Sequence, residues 1–186
     1  MTPATPLTPA LPTRLAILAA AVALLAGCAP DPVPTPTPTP TAAFASEEEA
    51  FAAAEATYRA YNDALNQVDF AKPKTFEPVY SLLSETAADS TRKAFSEFHA
   101  EGIRTAGATH YDSFIGVSAD PRNGVINADV CTDVSDVEVT NASGTSIVSV
   151  DRPPRQSISV RFVAGPGGDS LTISELESSE GDRCVR

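Results

Sequence analysis

Val125-Ile126-Asn127-Ala128-Asp129-Val130-Cys131-Thr132-Asp133-Val134 decides the fold class. Its side chains alternate. Ile126, Ala128, Val130, Thr132 and Val134 fall on one face, and Asn127, Asp129, Cys131 and Asp133 on the other. Period two marks a strand with one face packed on a core and one face in water.

Upstream of it, Asp120-Pro121-Arg122-Asn123-Gly124 is turn chemistry. Before that turn, Ile103–Ala106, Gly107 and Thr109–Val117 read as one long strand, with Gly107 as a bulge. Downstream, Val137–Thr140 extends or repeats the strand, and Asn141-Ala142-Ser143-Gly144 turns again. A polar loop through Asp151-Arg152-Pro153-Pro154 leads to Gln156–Ala164, with Ile158, Val160 and Phe162 on one face. Gly165–Asp169 then closes a hairpin into Leu171–Glu177.

Ahead of Gly102 the period is helical. Ser46-Glu47-Glu48-Glu49 is a capping box, in which the serine accepts a free N–H and Glu49 reaches back to the cap. Phe51, Ala54, Tyr58, Tyr61, Leu65 and Val68 then mark one helical face, and Glu55 with Arg59 is an i,i+4 ion pair. Pro78 opens a short second helix. Thr86 and Asp89 suggest the cap of a third, with Phe95 and Phe98 in the core and Gly102 as its stop. Helices followed by about four antiparallel strands predict an α+β fold, the N-terminal helices packed on one face of a bent sheet.

The N-terminus carries a different signal. Leu15–Leu24 is an apolar run behind a single charge, Arg14, and ends in Leu25-Ala26-Gly27-Cys28. The run is about half the roughly twenty residues a membrane span needs, and it has the length of a signal-peptide core. An ordinary signal peptide cut near Ala26 and a buried helix are the competing readings. A cysteine directly after Leu-Ala-Gly argues against both. The pattern resembles bacterial lipoprotein signals, which implies that Cys28 is lipidated and becomes the mature N-terminus after cleavage. The organisation expected is a signal peptide over 1–27, a lipidated cysteine and Pro/Thr-rich linker over 28–45, and a domain over 46–186. One acyl chain holds a protein marginally and two or more hold it firmly. Lipidation therefore predicts anchoring at the extracytoplasmic face of the cell membrane.

Alternating proline from Ala29 to Thr41 forbids helix and sheet pairing and favours an extended tether of roughly 40 Å. Thr-Pro repeats also resemble O-glycosylated stalks. The formal charge is −11, from 24 acids and 13 bases. Losing Arg14 with the leader takes it from −11 to −12, which disfavours nucleic acid.

The order of a capped helix, two shorter helices and a meandering sheet resembles the NTF2-like (SnoaL/cystatin-like α+β cone) fold. Val130-Cys131-Thr132-Asp133-Val134, a later valine-rich strand and Cys184 are similar to actinobacterial NTF2-like lipoproteins of unassigned function. Such relatives tend to carry a tryptophan in the last long strand, where this chain has Leu171-Thr172-Ile173.

Cys131 and Cys184 remain once Cys28 is used as an anchor. In an oxidising compartment an even pair implies a disulfide. A metal site or a reactive thiol is the alternative, and the close Cys/His spacing either would need is absent. His110 and Asp112 share a strand face. The resemblance implies enzymes that use a His–Asp pair inside the cone, so these two are the catalytic candidates, against a plain surface role. Asp129 and Asp133 flank Cys131 as candidate paired carboxylates or a weak cation site, without a calcium loop. Glu175, Glu177, Glu180 and Asp182 read as a solvated acidic face, and Asn141-Ala142-Ser143 as a turn rather than a used sequon. No motif calls for a cofactor or a metal. The expected function is non-catalytic: a lipid-anchored domain that binds a small apolar ligand or contacts an envelope partner. An isomerase, dehydratase or cyclase and a purely structural envelope protein are the alternatives.

Overall fold

The structure, a computed structural model, describes residues 42–165, 170–179 and 184. Cys28, the apolar run before it and the Thr-Pro tether lie outside the described residues, as do Glu180 and Asp182.

Helix α1 runs Glu47–Leu65 from the N-cap Ser46, whose hydroxyl accepts from Glu49 N–H at 3.1 Å. The return bond differs by one residue from the expected box: Glu49 Oε2 accepts from the Ala45 N–H at 2.8 Å. Glu55 and Arg59 pair at 3.3 Å as expected. The buried face is Ala50, Ala54, Tyr58 and Asn62, turned by about one position from the expected stripe, so that Phe51, Tyr61 and Leu65 are half-buried. Small side chains at 50 and 54 let the helix lie close to the sheet. Phe51 finds its room over Gly116, where an added Cβ would stand 2.5 Å from the ring.

A 3-10 turn at Pro73–Thr75 and the single-turn helix α2 (Glu77–Tyr80) lead to α3 (Glu85–Glu101). The cap of α3 is Ser84, not Thr86 or Asp89. Strand-like bonds explain the shift: Ile173 N–H donates to Leu82 O at 2.9 Å, and Ser84 N–H donates to Ile173 O at 2.8 Å. These bonds hold Ser84 extended, and the helix starts directly behind it. Gly102 ends α3 in the left-handed region at φ 66°. Phe95 is buried, whereas Phe98 is 39% exposed and only its ring edge meets Phe70.

The expected long first strand is two strands in two sheets. β1 (Arg104–Ala106) pairs antiparallel with β4 (Glu138–Thr140), and β2 (His110–Asp120) heads a four-stranded antiparallel sheet. The order in that sheet is β2-β3-β5-β6, with β3 at Val125–Asp133, β5 at Arg155–Ala164 and β6 at Leu171–Ser178. Gly107 is the corner between the sheets, not a bulge. Its φ is 79°, and a Cβ would stand 1.8 Å from the Asp136 carbonyl oxygen. The corner is set by α1. Asn66 clamps Thr109 with two 2.8 Å bonds, Nδ2 donating to Thr109 O and Oδ1 accepting from Thr109 N–H. Asn62 Nδ2 donates to the same carbonyl at 3.1 Å. With Thr109's backbone groups taken by side chains, strand pairing resumes only at His110.

On β3 the alternation holds as read. Ile126, Ala128, Val130 and Thr132 are buried, and Asn127, Asp129 and Asp133 are half-exposed. The inner face continues across Phe162 and Val160 to Ile173, the centre of the core. The molecule is thus α+β, with helices covering one face of a four-stranded antiparallel sheet.

Candidate functional site

Between the end of α1 and the inner sheet face lies a cavity of about 250 Å³. Helical spacing brings Tyr58, Tyr61 and Leu65 to its roof. Register brings Thr132 of β3, Gln156 and Ile158 of β5, and Leu176 and Ser178 of β6 to its floor, because Thr132 faces Gln156 and Ile158 faces Ser178 across the ladders. Thr132 is itself satisfied, its hydroxyl donating to Gln156 O at 3.3 Å. The lining is mixed, with Tyr58, Tyr61, Leu65, Val134, Ile158 and Leu176 against the polar Thr109, Thr132, Gln156, Glu177 and Ser178.

Tyrosines dominate the polar chemistry. Tyr58 packs against Tyr61 at 6.1 Å and edge-on against Tyr111 of β2 at 5.3 Å between ring centroids. Arg59 Nε donates to the Tyr111 hydroxyl at 3.2 Å. Tyr58 is 3% exposed, and its hydroxyl has no hydrogen-bond partner among the described residues. Burial, followed by the neighbouring Tyr61 and Tyr111, pushes its ionisation well above the ordinary tyrosine range, and burial raises Tyr61 as well. These phenols are therefore neutral donors at any physiological pH.

A second cavity, of about 180 Å³, adjoins the first. Leu65 and Thr109 belong to the walls of both, and Val68, Phe70, Ala106 and Val137 are among the remaining lining residues. The Asn62 and Asn66 clamp on Thr109 holds the shared wall in place.

The catalytic candidates lie elsewhere. His110 and Asp112 are exposed on the face of the sheet turned away from the helices, whereas Tyr111 between them points to the core. His110 stands opposite Asp133 in the ladder. Asp112 sits at a register irregularity and is ion-paired with Arg155. Neither lines the cavity, so the geometry does not bring them to a pocket as an acid–base pair. His99 is committed to packing, its Nδ1–H donating to Phe70 O at 2.5 Å. Asp129 accepts from Ser159 Oγ at 2.9 Å. Asp133 accepts from Ser135 N–H at 2.9 Å, and its bonds with Ser135 hold its carboxyl below the usual range. Among the described residues no three His, Cys, Asp or Glu side chains are grouped to hold a metal ion.

Cys131 and Cys184 are joined, with 5.4 Å between their Cα atoms, on that same outer face. Arg155 binds the arrangement together: its Nη1 pairs with Asp112, and its Nε donates to Cys184 O at 2.9 Å. Arg155 and the tyrosine roof were not singled out by sequence reasoning. Tyr58 and Tyr61, three apart on a helix, were legible as neighbours. The reach of Arg155 across β3 had no local signal.

No described helix is long and apolar enough to cross a membrane. No family model matches the chain, and no curated protein matches it. Among solved structures, the chain is similar to a candidate aromatic ring hydroxylase from Novosphingobium aromaticivorans, with 11% identity over 71% of this chain and 94% of that one, at a TM-score of 0.47. A protein from Catenulispora acidiphila shares 14% identity over 72% of this chain and 92% of its own, also at a TM-score of 0.47. A de novo β-sheet design shares 18% identity over 71% and 85% of the two chains, at a TM-score of 0.28. The observed order, helices followed by a four-stranded antiparallel sheet that they cover on one face, is the α+β layering the sequence led us to expect.

Proposed function

We propose that this protein is a lipid-anchored surface protein whose domain binds a small amphipathic molecule without transforming it. The observation that carries the binding half is the cavity of about 250 Å³ under Tyr58, Tyr61 and Leu65, where the Tyr58 phenol has no acceptor among the described residues. A ligand oxygen in the cavity would give that phenol an acceptor. The non-catalytic half is supported by the position of His110 and Asp112 outside the cavity. Anchoring rests on the lipobox reading of Leu25-Ala26-Gly27-Cys28 and the Pro-Thr tether that follows. The tether lets the site stand tens of ångströms from the lipid and meet molecules in transit.

The test is native mass spectrometry of the full chain purified from bacterial membranes. A retained small molecule, lost when Ile158→Trp fills the cavity floor, is the expected result. A chain that carries nothing and takes up nothing from an envelope lipid extract overturns the binding half. Metabolic labelling with an alkyne fatty acid addresses the anchor: Cys28→Ala is expected to abolish the label, and a label that survives overturns lipidation at Cys28. Contact with an envelope partner is the second reading. It is favoured by Ile115 and Val117, 43% and 55% exposed on the edge strand β2.

A further inference from the structure

We propose that the ligand is an uncharged, single-chain amphiphile, its polar oxygen held by Tyr58 and its chain running past Leu65 into the second cavity. This rests on the ligand-binding reading above and names the chemistry that reading leaves open.

Three observations carry it. The first is the head. The Tyr58 hydroxyl lines the cavity with no acceptor among the described residues, so it favours a molecule that presents an oxygen there, such as an alcohol or a carbonyl. The second is charge. Among the described residues Glu177 is the one ionised side chain that lines either cavity, and no lysine, arginine or histidine does. A carboxylate or phosphate head would be desolvated with no cation beside it and an acid at the rim. An ammonium head would find only Glu177, which is exposed to water, and would give Tyr58 no acceptor.

The third observation is shape. The cavities of about 250 and 180 Å³ share the walls Leu65 and Thr109, and a compact rigid molecule would occupy one and leave the other empty. A flexible chain crosses by turning the half-buried Leu65 side chain, while Thr109 stays clamped by Asn62 and Asn66. Val68, Phe70, Ala106 and Val137 then receive its distal end. Each methylene so buried strengthens binding about fourfold, until the second cavity is filled.

The experiment is photo-crosslinking of the full chain in phosphatidylcholine nanodiscs. The probes are hexadecanol, hexadecanoic acid and hexadecylamine, each with a diazirine at the terminal carbon, and labelled peptides are mapped by mass spectrometry. Saturable labelling by the alcohol at Val68, Phe70 or Val137, well above that by the acid or the amine, is expected. Tyr58→Phe is expected to lower it about fivefold, the worth of one neutral hydrogen bond. Leu65→Trp at the junction, and independently Ala106→Trp from the exposed strand β1, should move the label back to Ile158 and Leu176. Equal or stronger labelling by the acid or the amine overturns the uncharged head. Label confined to Ile158 and Leu176 in the unaltered protein overturns the threaded chain. Both of those outcomes leave ligand binding standing. Absence of saturable labelling by all three probes overturns this proposal, and with an empty native mass spectrum it removes the ligand-binding reading too.

Discussion

The two faces of β3 are built from alternate residues of one short segment, yet they are held by different physics. Ile126, Ala128, Val130 and Thr132 lie against the helices and depend on close packing. One residue along in each case, Asn127, Asp129, Cys131 and Asp133 look outward and are held by Ser118, Ser159, a disulfide and Ser135 in turn. The inner face leaves space at its end and becomes a cavity. The outer face closes its space with a disulfide, hydrogen bonds and the Arg155–Asp112 ion pair. A strand of this kind lets a cavity be left at the end of the core while the opposite face is held by a disulfide.

The comparison is broken most severely at the disulfide. The bond closes a sequence separation of 53 residues, for which chain entropy gives about 4 kcal/mol. The double variant Cys131→Ala/Cys184→Ala should lose about that much in urea unfolding, and reductant should reproduce the loss in the unaltered protein. An unchanged midpoint would mean that the outer face does not depend on the link. The inner face is tested next. Ile126→Ala removes a fully buried side chain and should cost about 3 kcal/mol, whereas Asn127→Ala beside it should stay within about 0.5 kcal/mol. Equal costs would erase the distinction between the faces.

This division was legible in the sequence because a period of two is a local property, written in ten consecutive residues. The capping serine of α1 and the stop at Gly102 were legible for the same reason. The strand ends were not. Gly107 looked like a bulge because nothing in Ile103–Val117 reports that Asn62 and Asn66, more than forty residues earlier, take up the backbone of Thr109. Thr86 and Asp89 read as the cap of α3 in place of Ser84 because the extended backbone of Ser84 is imposed by Ile173, on the far side of the chain. Among candidate site residues, His110 and Asp112 were chosen as the residue types that do acid–base work. Only the tertiary structure places them outside the cavity and pairs Asp112 with Arg155. The tyrosine roof escaped because Tyr58 and Tyr61 read equally well as core, and Tyr111 joins them through tertiary packing alone.

A smaller effect separates the faces by titration. Burial raises the ionisation of Tyr58 and Tyr61, and of Tyr80 beside α3, above the ordinary tyrosine value of 10.0. Above that value the unfolded chain releases these protons while the folded chain keeps them. Stability is therefore intact below about pH 10 and falls as pH rises toward the folded values. Tyrosinate absorbance should show these phenols ionising together with base unfolding, and Tyr58→Phe should flatten the decline. Early, independent ionisation of Tyr58 would mean that the cavity roof is open to water.

The smallest effect belongs to the outer face, and it asks whether that face is chemistry or scaffold. Asp112→Asn removes the carboxylate that Arg155 grips and leaves Arg155 its bond to Cys184 O. Both side chains are partly exposed, so water and salt screen the pair, and much of its attraction is already offset by hydration. The urea midpoint should fall by less than in Ile126→Ala, and the difference should shrink as salt is raised. Ligand retention by native mass spectrometry should be unchanged, because Asp112 lines neither cavity. A ligand lost or chemically altered on this single change, with the midpoint intact, would return His110 and Asp112 to the centre of the function. An unaltered ligand together with a salt-sensitive midpoint assigns them to holding the sheet.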